Sequence, residues 1–209
     1  MGLDNTTAGD QGFIDAWVNA GVLDVMMRTD CQVRAADMSL TTGTWKYTTD
    51  SSILKIVTAY VSTAAGDYTL ERVSVQDLIE MQLASSQTVS PAQFYAFDGA
   101  DYFMIYPTPA SDDTVVMFYV PAPATLSASA DIPTEIPTEY QKAIEFYALR
   151  EAADFSDDGT SQMGNLYLQQ YEAWIKRIKK WQNMKGSQRL PIARIRPMTS
   201  RVYHDRSRY

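Results

Sequence analysis

The chain is poor in the residues that carry most enzyme chemistry. Its 209 residues include one cysteine, Cys31, and one histidine, His204. A single cysteine excludes a disulfide framework within one chain, and no C-x-x-C pair offers a zinc motif, so a reducing place of synthesis is the simple expectation. His204 lies five residues from the end of the sequence, where no second shell would orient it as a base. Cys31 lacks a histidine partner in the body, so it is expected to be a small buried or half-buried thiol rather than a nucleophile. No glycine-rich phosphate cradle of the P-loop or dinucleotide type occurs. Asp112-Asp113 and Asp157-Asp158 sit beside turn residues without the alternating spacing of a calcium loop, which predicts turn and cap roles. Gly99, Gly159 and Gly164 likewise read as turn glycines. No run of eighteen apolar residues suggests a membrane span. Met1-Gly2-Leu3-Asp4-Asn5 is acidic and polar, unlike a secretory leader, and Gly2 with Thr6 is a weak myristoylation signal. The expectation is a protein that is not an enzyme and that uses no cofactor and no metal.

What is present is a strong separation of charge. Eleven of the eighteen Lys and Arg lie from Lys176 onward, opposed only by Asp205. The rest of the chain holds seven basic and twenty-four acidic side chains. An acidic body with a basic arm calls for an acidic partner surface: nucleic acid, another protein, or a neighbouring copy.

Periodicity organises the body. Phe13, Trp17 and Ala20, widened by Ile14 and Val18, predict a first helix that ends at Gly21, with a second short helix from Val22 to about Arg28. From about Leu40, β-branched and aromatic runs predict strands over Thr41–Tyr47 and Ile53–Val61, with a short one at Tyr68–Leu70. Ser74 with Asp77 predicts a capped helix over Val75–Leu83. Phe94–Phe97, the Asp98-Gly99 turn, Tyr102–Tyr106 and Thr114–Tyr119 read as a β-meander, interrupted by Pro107-Thr108-Pro109 and ended by Pro121 and Pro123. Pro137 opens a helix with Tyr140, Ile144, Tyr147, Ala148, Glu151 and Phe155 near one face. Leu166, Tyr167, Tyr171, Trp174, Ile178 and Trp181 form the stripe of a last helix. The fold class is α+β: a helical bundle from the N-terminal and C-terminal helices flanks a central antiparallel β-rich region, with an extended C-terminal arm. The boundaries fall at 1–39 for the N-terminal helices, 40–123 for the β-rich region with its short helix, 124–185 for the connector and helical pair, and 186–209 for the arm.

The aromatic residues Phe94, Tyr95, Phe97, Tyr102, Phe103, Tyr106, Phe118 and Tyr119 could stack bases. From Gln93 to Gln141, however, there is no Lys or Arg to neutralise phosphates, so core packing and subunit contact are the expectation. The arm differs. Arg189, Leu190, Ile192, Arg194, Ile195 and Arg196 alternate charge with apolar bulk in a stretch punctuated by Pro191 and closed by Pro197, and Arg201, Tyr203, Arg206, Arg208 and Tyr209 continue the mixture. A free solvated tail needs none of these apolar residues. Ordering on a partner, by strand addition or groove docking with Arg–carboxylate pairs, uses both kinds.

Tyr102-Phe103-Met104-Ile105-Tyr106-Pro107-Thr108-Pro109, Val116-Met117-Phe118-Tyr119-Val120-Pro121, and Ile136-Pro137-Thr138-Glu139-Tyr140 running into Phe146–Asp154 carry a resemblance. With Trp17-Val18-Asn19, these phrases are similar to the head-to-tail adaptor (connector) proteins of tailed bacteriophages. The resemblance covers roughly Phe13 to Trp181. It implies a non-enzymatic virion protein of the neck, assembled in the bacterial host cytoplasm as a homo-oligomeric ring of about twelve copies beneath the portal. Implied partners are further copies of itself, the portal protein and a downstream neck, stopper or tail protein, with genomic DNA passing through and no membrane. Portal docking is given to the arm by its position and chemistry alone. An acidic body would suit a channel wall, because it repels DNA phosphates. Two alternatives stay open: a nucleic-acid-binding protein that uses the arm, and another phage neck or tail-completion protein such as a stopper.

Overall fold

The first helix, α1 (Ala8–Thr29), runs without a break through Gly21. In a computed structural model, residues 8–85, 88–89, 91–99, 102–127, 131–155 and 161–187 are described. Two N-terminal helices were expected and one is found. Gly21 is needed for approach rather than for termination. A Cβ there would stand 3.2 Å from both Ile144 Cγ2 and Tyr147 Cδ1 of helix α3 (Lys142–Phe155). The real end of α1 is Asp30, whose φ of 51° is the left-handed turn that stops a helix, and whose N–H bonds Met26 O at 3.1 Å.

Eight strands follow in two four-stranded sheets. They are β1 (Arg34–Ser39), β2 (Lys46–Thr48), β3 (Ile53–Thr63), β4 (Gly66–Thr69), β5 (Glu71–Arg72), β6 (Phe94–Asp98), β7 (Tyr102–Tyr106) and β8 (Thr114–Pro121). One sheet has the order β1-β8-β3-β4 and the other β2-β7-β6-β5. Every pair is antiparallel except the short β5–β6 pair, which is parallel. The meander expectation fails at its third strand. Tyr102–Tyr106 does turn back on Phe94–Asp98, with Gly99 at φ 59°, but β8 crosses to the other sheet between β1 and β3. Two further readings change. Strand β1 has the sequence RAADMS, almost without β-branched or aromatic residues, and is a strand because β8 pairs with it along six residues. Of Thr41–Tyr47, only Lys46 and Tyr47 are in a strand. The residues before them turn at Gly43 (φ 82°), and the Tyr47 hydroxyl donates to Thr44 O at 2.7 Å.

The sheets pack face to face over Ile56, Val61, Tyr95, Phe103, Ile105 and Val115, all nearly inaccessible to solvent. Helix α2 (Val75–Ala84) begins as the sequence predicts. Ser74 accepts from Asp77 N at 3.1 Å, and Leu78 seals the outer face of the second sheet over Ala96 and Met104.

A second core lies among the helices. Ring contacts show their direction: Phe13 meets Phe155 while Gly21 meets Ile144, so α1 and α3 are antiparallel. Tyr167 meets Phe146, Tyr171 meets Tyr147 and Trp181 meets Tyr140, so α4 (Ser161–Ser187) is antiparallel to α3. Val22, Val25, Met26, Ala143, Ile144, Tyr171, Ile175 and Ile178 are buried between them. Gly164 is not a turn residue; it lies within α4, where a Cβ would come 2.9 Å from Asp154 Oδ1. Leu166, expected in the seam, is 46% exposed, and Ile175 takes the buried role instead.

Strand β3 joins the two cores. Ile53, Ile56, Ala59 and Val61 all enter the sandwich core, at spacings that a period-two strand cannot supply. Bulges between Ile53 and Lys55 and between Ile56 and Thr58 absorb the two odd steps. Leu54, carried by the first bulge, reaches the helical core with Val120. Lys55 reinforces the junction, donating to Met27 O at 2.6 Å and pairing with Asp30 at the end of α1.

Gly21 and Gly12 should respond in opposite ways to a side chain. Gly21→Val should destabilise the fold by about 1–3 kcal/mol through overpacking. A Cβ at Gly12 meets nothing within 4 Å, so Gly12→Ala should be neutral or stabilise by up to about 1 kcal/mol. Urea denaturation of both variants checks this, and equal effects would remove the close-approach role of Gly21.

Candidate functional site

None of the expected docking residues, from Arg189 to Tyr209, lies among the described residues, and neither do His204 nor the Asp157-Asp158 pair. The boundary at which the arm was expected to begin falls inside α4, which includes Gly186 and Ser187. The described residues contain the base from which the arm departs. Lys176, Arg177, Lys179 and Lys180 are exposed on α4, while Ile175 and Ile178 between them are buried. The helix is therefore amphipathic, with an apolar stripe on the bundle and a cationic face in water. Arg177 lies over the Trp174 ring at 4.7 Å, which holds part of that charge close to the helix surface.

The other candidate chemistry is occupied by structure. Cys31 is half-buried, its Sγ is 3.8 Å from Glu135 O, and burial pushes its pKa up, away from thiolate reactivity. Asp112 locks a turn: its carboxylate accepts from Thr42 N at 2.8 Å and Thr42 Oγ1 at 2.9 Å, and these bonds hold its pKa below the usual value. Among the described residues, no group of three or more His, Cys, Asp or Glu could hold a metal ion. No helix there is long and apolar enough to cross a membrane. Of the eight strand aromatics, Tyr95, Phe97 and Phe103 are buried and the other five are half-buried. Tyr95 and Phe103 stack at 5.5 Å inside the sandwich and Phe97 is buried beside them, so they offer no open platform to bases. Phe118 instead pairs with Tyr60 at 6.2 Å.

Sequence reasoning missed a groove of about 490 Å³ between α1, α3 and the connector that precedes α3. Ile14, Trp17, Val18, Leu126, Ala148 and Leu149 form its apolar lining, and the carboxylates Asp131 and Glu145 stand at its edge. Phe13 and Phe155 extend it with a ring cluster around Trp17, at centroid distances of 5.2–6.1 Å. Two amides fix the connector wall. Asn19 donates to Leu126 O at 2.9 Å and accepts from Leu126 N at 2.8 Å. Gln141 donates to Pro133 O at 3.1 Å and to Ile136 O at 3.2 Å. The signal was available: an Asn on the apolar side of a helix needs a partner, and a proline-rich connector without periodicity supplies backbone groups that need one too.

A polar cluster holds α1 on α4. Tyr171, 1% exposed, donates to Asp24 Oδ2, and Arg28 lies between Asp24 (3.6 Å) and Glu172 (2.8 Å), over the Tyr171 ring at 5.5 Å. Burial first, then the bond to Asp24, raises the Tyr171 pKa far above that of free tyrosine, against the opposing pull of Arg28. Burial alone would lower the Arg28 pKa, but the bond to Glu172 and the charges of Glu172, Tyr171 and Asp24 together outweigh it, so Arg28 is raised. The ion pairs are about one-third exposed, so each adds at most about 1 kcal/mol, and burial of Tyr171 is the larger contribution.

A family model described as SU10 adaptor protein matches residues 2–198. No curated protein matches the chain.

The raised pKa of Tyr171 predicts a pH effect. Its contribution is fully present below about pH 10, where the phenol is protonated in both folded and unfolded chains. Above that, the unfolded chain loses the proton and the folded one keeps it, so stability should fall as pH rises. Urea titrations at pH 9 and pH 11 should show a smaller loss for Tyr171→Phe than for the unsubstituted chain. The same substitution should cost about 1–2 kcal/mol at neutral pH.

Proposed function

Because the chain belongs to the SU10 adaptor protein family, we propose that it is a structural head-to-tail adaptor of a tailed bacteriophage. In this reading it assembles as a ring of about twelve copies beneath the portal, extends the DNA channel and joins capsid to tail. The observation that carries the reading is the extent of the family match, which takes in the helical bundle, the sandwich and residues 188–198 beyond α4. The resemblance seen in the strand-and-proline phrases and in Trp17-Val18-Asn19 agrees with that family.

The arm, with Arg189, Leu190, Ile192, Arg194, Ile195, Arg196, Arg201, Tyr203, Arg206, Arg208 and Tyr209, is the segment we assign to portal docking. Two features of the chain support the assignment. The basic face of α4 feeds directly into the arm, and six arginines with interleaved aliphatic side chains suit an acidic, partly apolar protein surface. The acidic body suits the channel wall, where negative charge lets the duplex slide. A neck, stopper or tail protein would then bind the face of the ring away from the portal.

Removing residues 188–209 separates this reading from DNA binding. Mixed with portal rings and imaged, the full-length chain should form symmetric complexes and the truncated chain should not, while duplex affinity stays weak for both. If the arm is a DNA tether instead, the full-length chain should bind duplex with a log–log salt slope of about −5, lost on truncation. That outcome, or no ring on any portal, would overturn the docking assignment.

A further inference from the structure

Helix α1 is apolar on two opposite sides, and the bundle covers one of them. Val22, Val25 and Met26 enter the helical core. On the other side Phe13, Ala16, Ala20, Leu23 and Met27 recur at spacings of three and four residues, which lines them up in one stripe along about 21 Å of helix. All five are exposed and none belongs to the helical core, with Phe13, Leu23 and Met27 at 39–49%. No charged side chain interrupts the stripe. Asp15 and Asp24, the charges between Phe13 and Met27, are half-buried on other sides of the helix, and Asp24 is engaged with Tyr171 and Arg28. A helix apolar on opposite sides is normally covered on both, and a long uncharged stripe in water marks a protein contact.

A second stripe of the same spacing lies on α4. Met163, Leu166, Gln170 and Ala173 are all exposed, and they turn away from Glu172, which bonds Arg28 of α1. The outer face of α4 therefore divides after Ala173: it is uncharged before that point and cationic beyond it, at Lys176, Arg177 and Lys180. The two stripes complement each other in size. Aligned in parallel, Phe13 falls on Met163, Ala16 on Leu166, Ala20 on Gln170 and Leu23 on Ala173. In the last three pairs a longer side chain lies over an alanine, which lets the helix axes approach, and the first is a sulfur–aromatic contact. Within one chain the stripes cannot meet, because that of α4 faces away from α1. Between copies they can. Helices α1 and α4 are both antiparallel to α3 and so run the same way, and rotation about an axis along the bundle keeps them parallel.

We propose that the outer stripe of α1 in one copy packs against residues 163–173 of α4 in a second copy. The contact joins two different surfaces of one chain, so it is head-to-tail, and repetition closes a ring. About three turns of helix make a small interface, which is weak alone and gains strength when many copies share a closed ring. The cationic half of α4 stays outside it. The inference rests on the ring reading and adds the two faces that meet.

Disulfide trapping in the full-length chain tests it. In a Cys31→Ser background, Ala16→Cys combined with Leu166→Cys should give covalent dimers, trimers and larger species on oxidation at about 200 µM chain, whereas either new cysteine alone should not. Leu23→Asp, added to that pair, places a charge in the stripe and should cut the yield of trimers and larger species at least fivefold. Leu83→Asp, at an exposed position on α2, should leave the yield unchanged. Far-UV circular dichroism confirms that each variant is folded, and Leu23→Cys with Ala173→Cys supplies a second pair should the first be poorly aligned. No larger species from either pair, dimers of equal yield from Ala16→Cys alone, or a yield indifferent to Leu23→Asp would each overturn the contact. Portal-bound rings are imaged separately. Rings that form without these cross-links would refute the contact alone, and cross-linked ladders that bind no portal would refute the docking reading alone.

Discussion

Ile53, Ile56, Ala59 and Val61 all reach the sandwich core, while Leu54 among them reaches the helical one. A regular strand turns alternate residues to opposite faces, so an unbroken β3 could not put Ile53, Ile56, Ala59 and Val61 all in one core. The two bulges relieve that constraint and fix where the helical layer sits on the sandwich. Each large aliphatic side chain buried at the junction contributes about 1.5–3 kcal/mol, whereas the Lys55–Asp30 ion pair, about one-third exposed, adds at most about 1 kcal/mol. The ion pair therefore sets register at a junction that apolar burial stabilises.

That junction lets a chain with strongly divided charge fold around conventional cores. The sandwich, the α2 cap and the three-helix bundle are each filled by residues before position 180. The cationic residues of α4 take no part in those cores, since the helix buries Ile175 and Ile178 and turns its lysines outward. The apolar stripe of α4 thus serves the bundle while its Lys and Arg side chains stay in water.

The legibility of the chain varied with the range of the forces involved. Helix α2 was readable because Ser74 and Asp77 form a local cap, and the β6–β7 hairpin because Asp98-Gly99 favours its turn. The stripe of α4 was readable for Tyr171 and Ile178 but not for Leu166, which lies off the face of Gly164, Leu168, Tyr171, Ile175 and Ile178 that meets the other helices. Gly21 and Gly164 were misread for one reason. A glycine that ends a helix and a glycine that admits a neighbouring helix are identical in one dimension, and only the positions of Ile144, Tyr147 and Asp154 distinguish them. The groove escaped notice because its walls are more than a hundred residues apart in sequence, brought together by the bond of Asn19 to Leu126.

The basic arm, the acidic body, the paucity of cysteine and histidine, and the α+β class were all determined by the sequence itself. They follow from composition and from periods of two and 3.6 residues that any local segment displays. The transfer of β8 to the opposite sheet, the strand identity of β1, the continuity of α1 and the existence of the groove were decided only in three dimensions. Each depends on which distant residues supply the missing hydrogen bonds or the missing apolar surface, and local propensity carries no information about such partners.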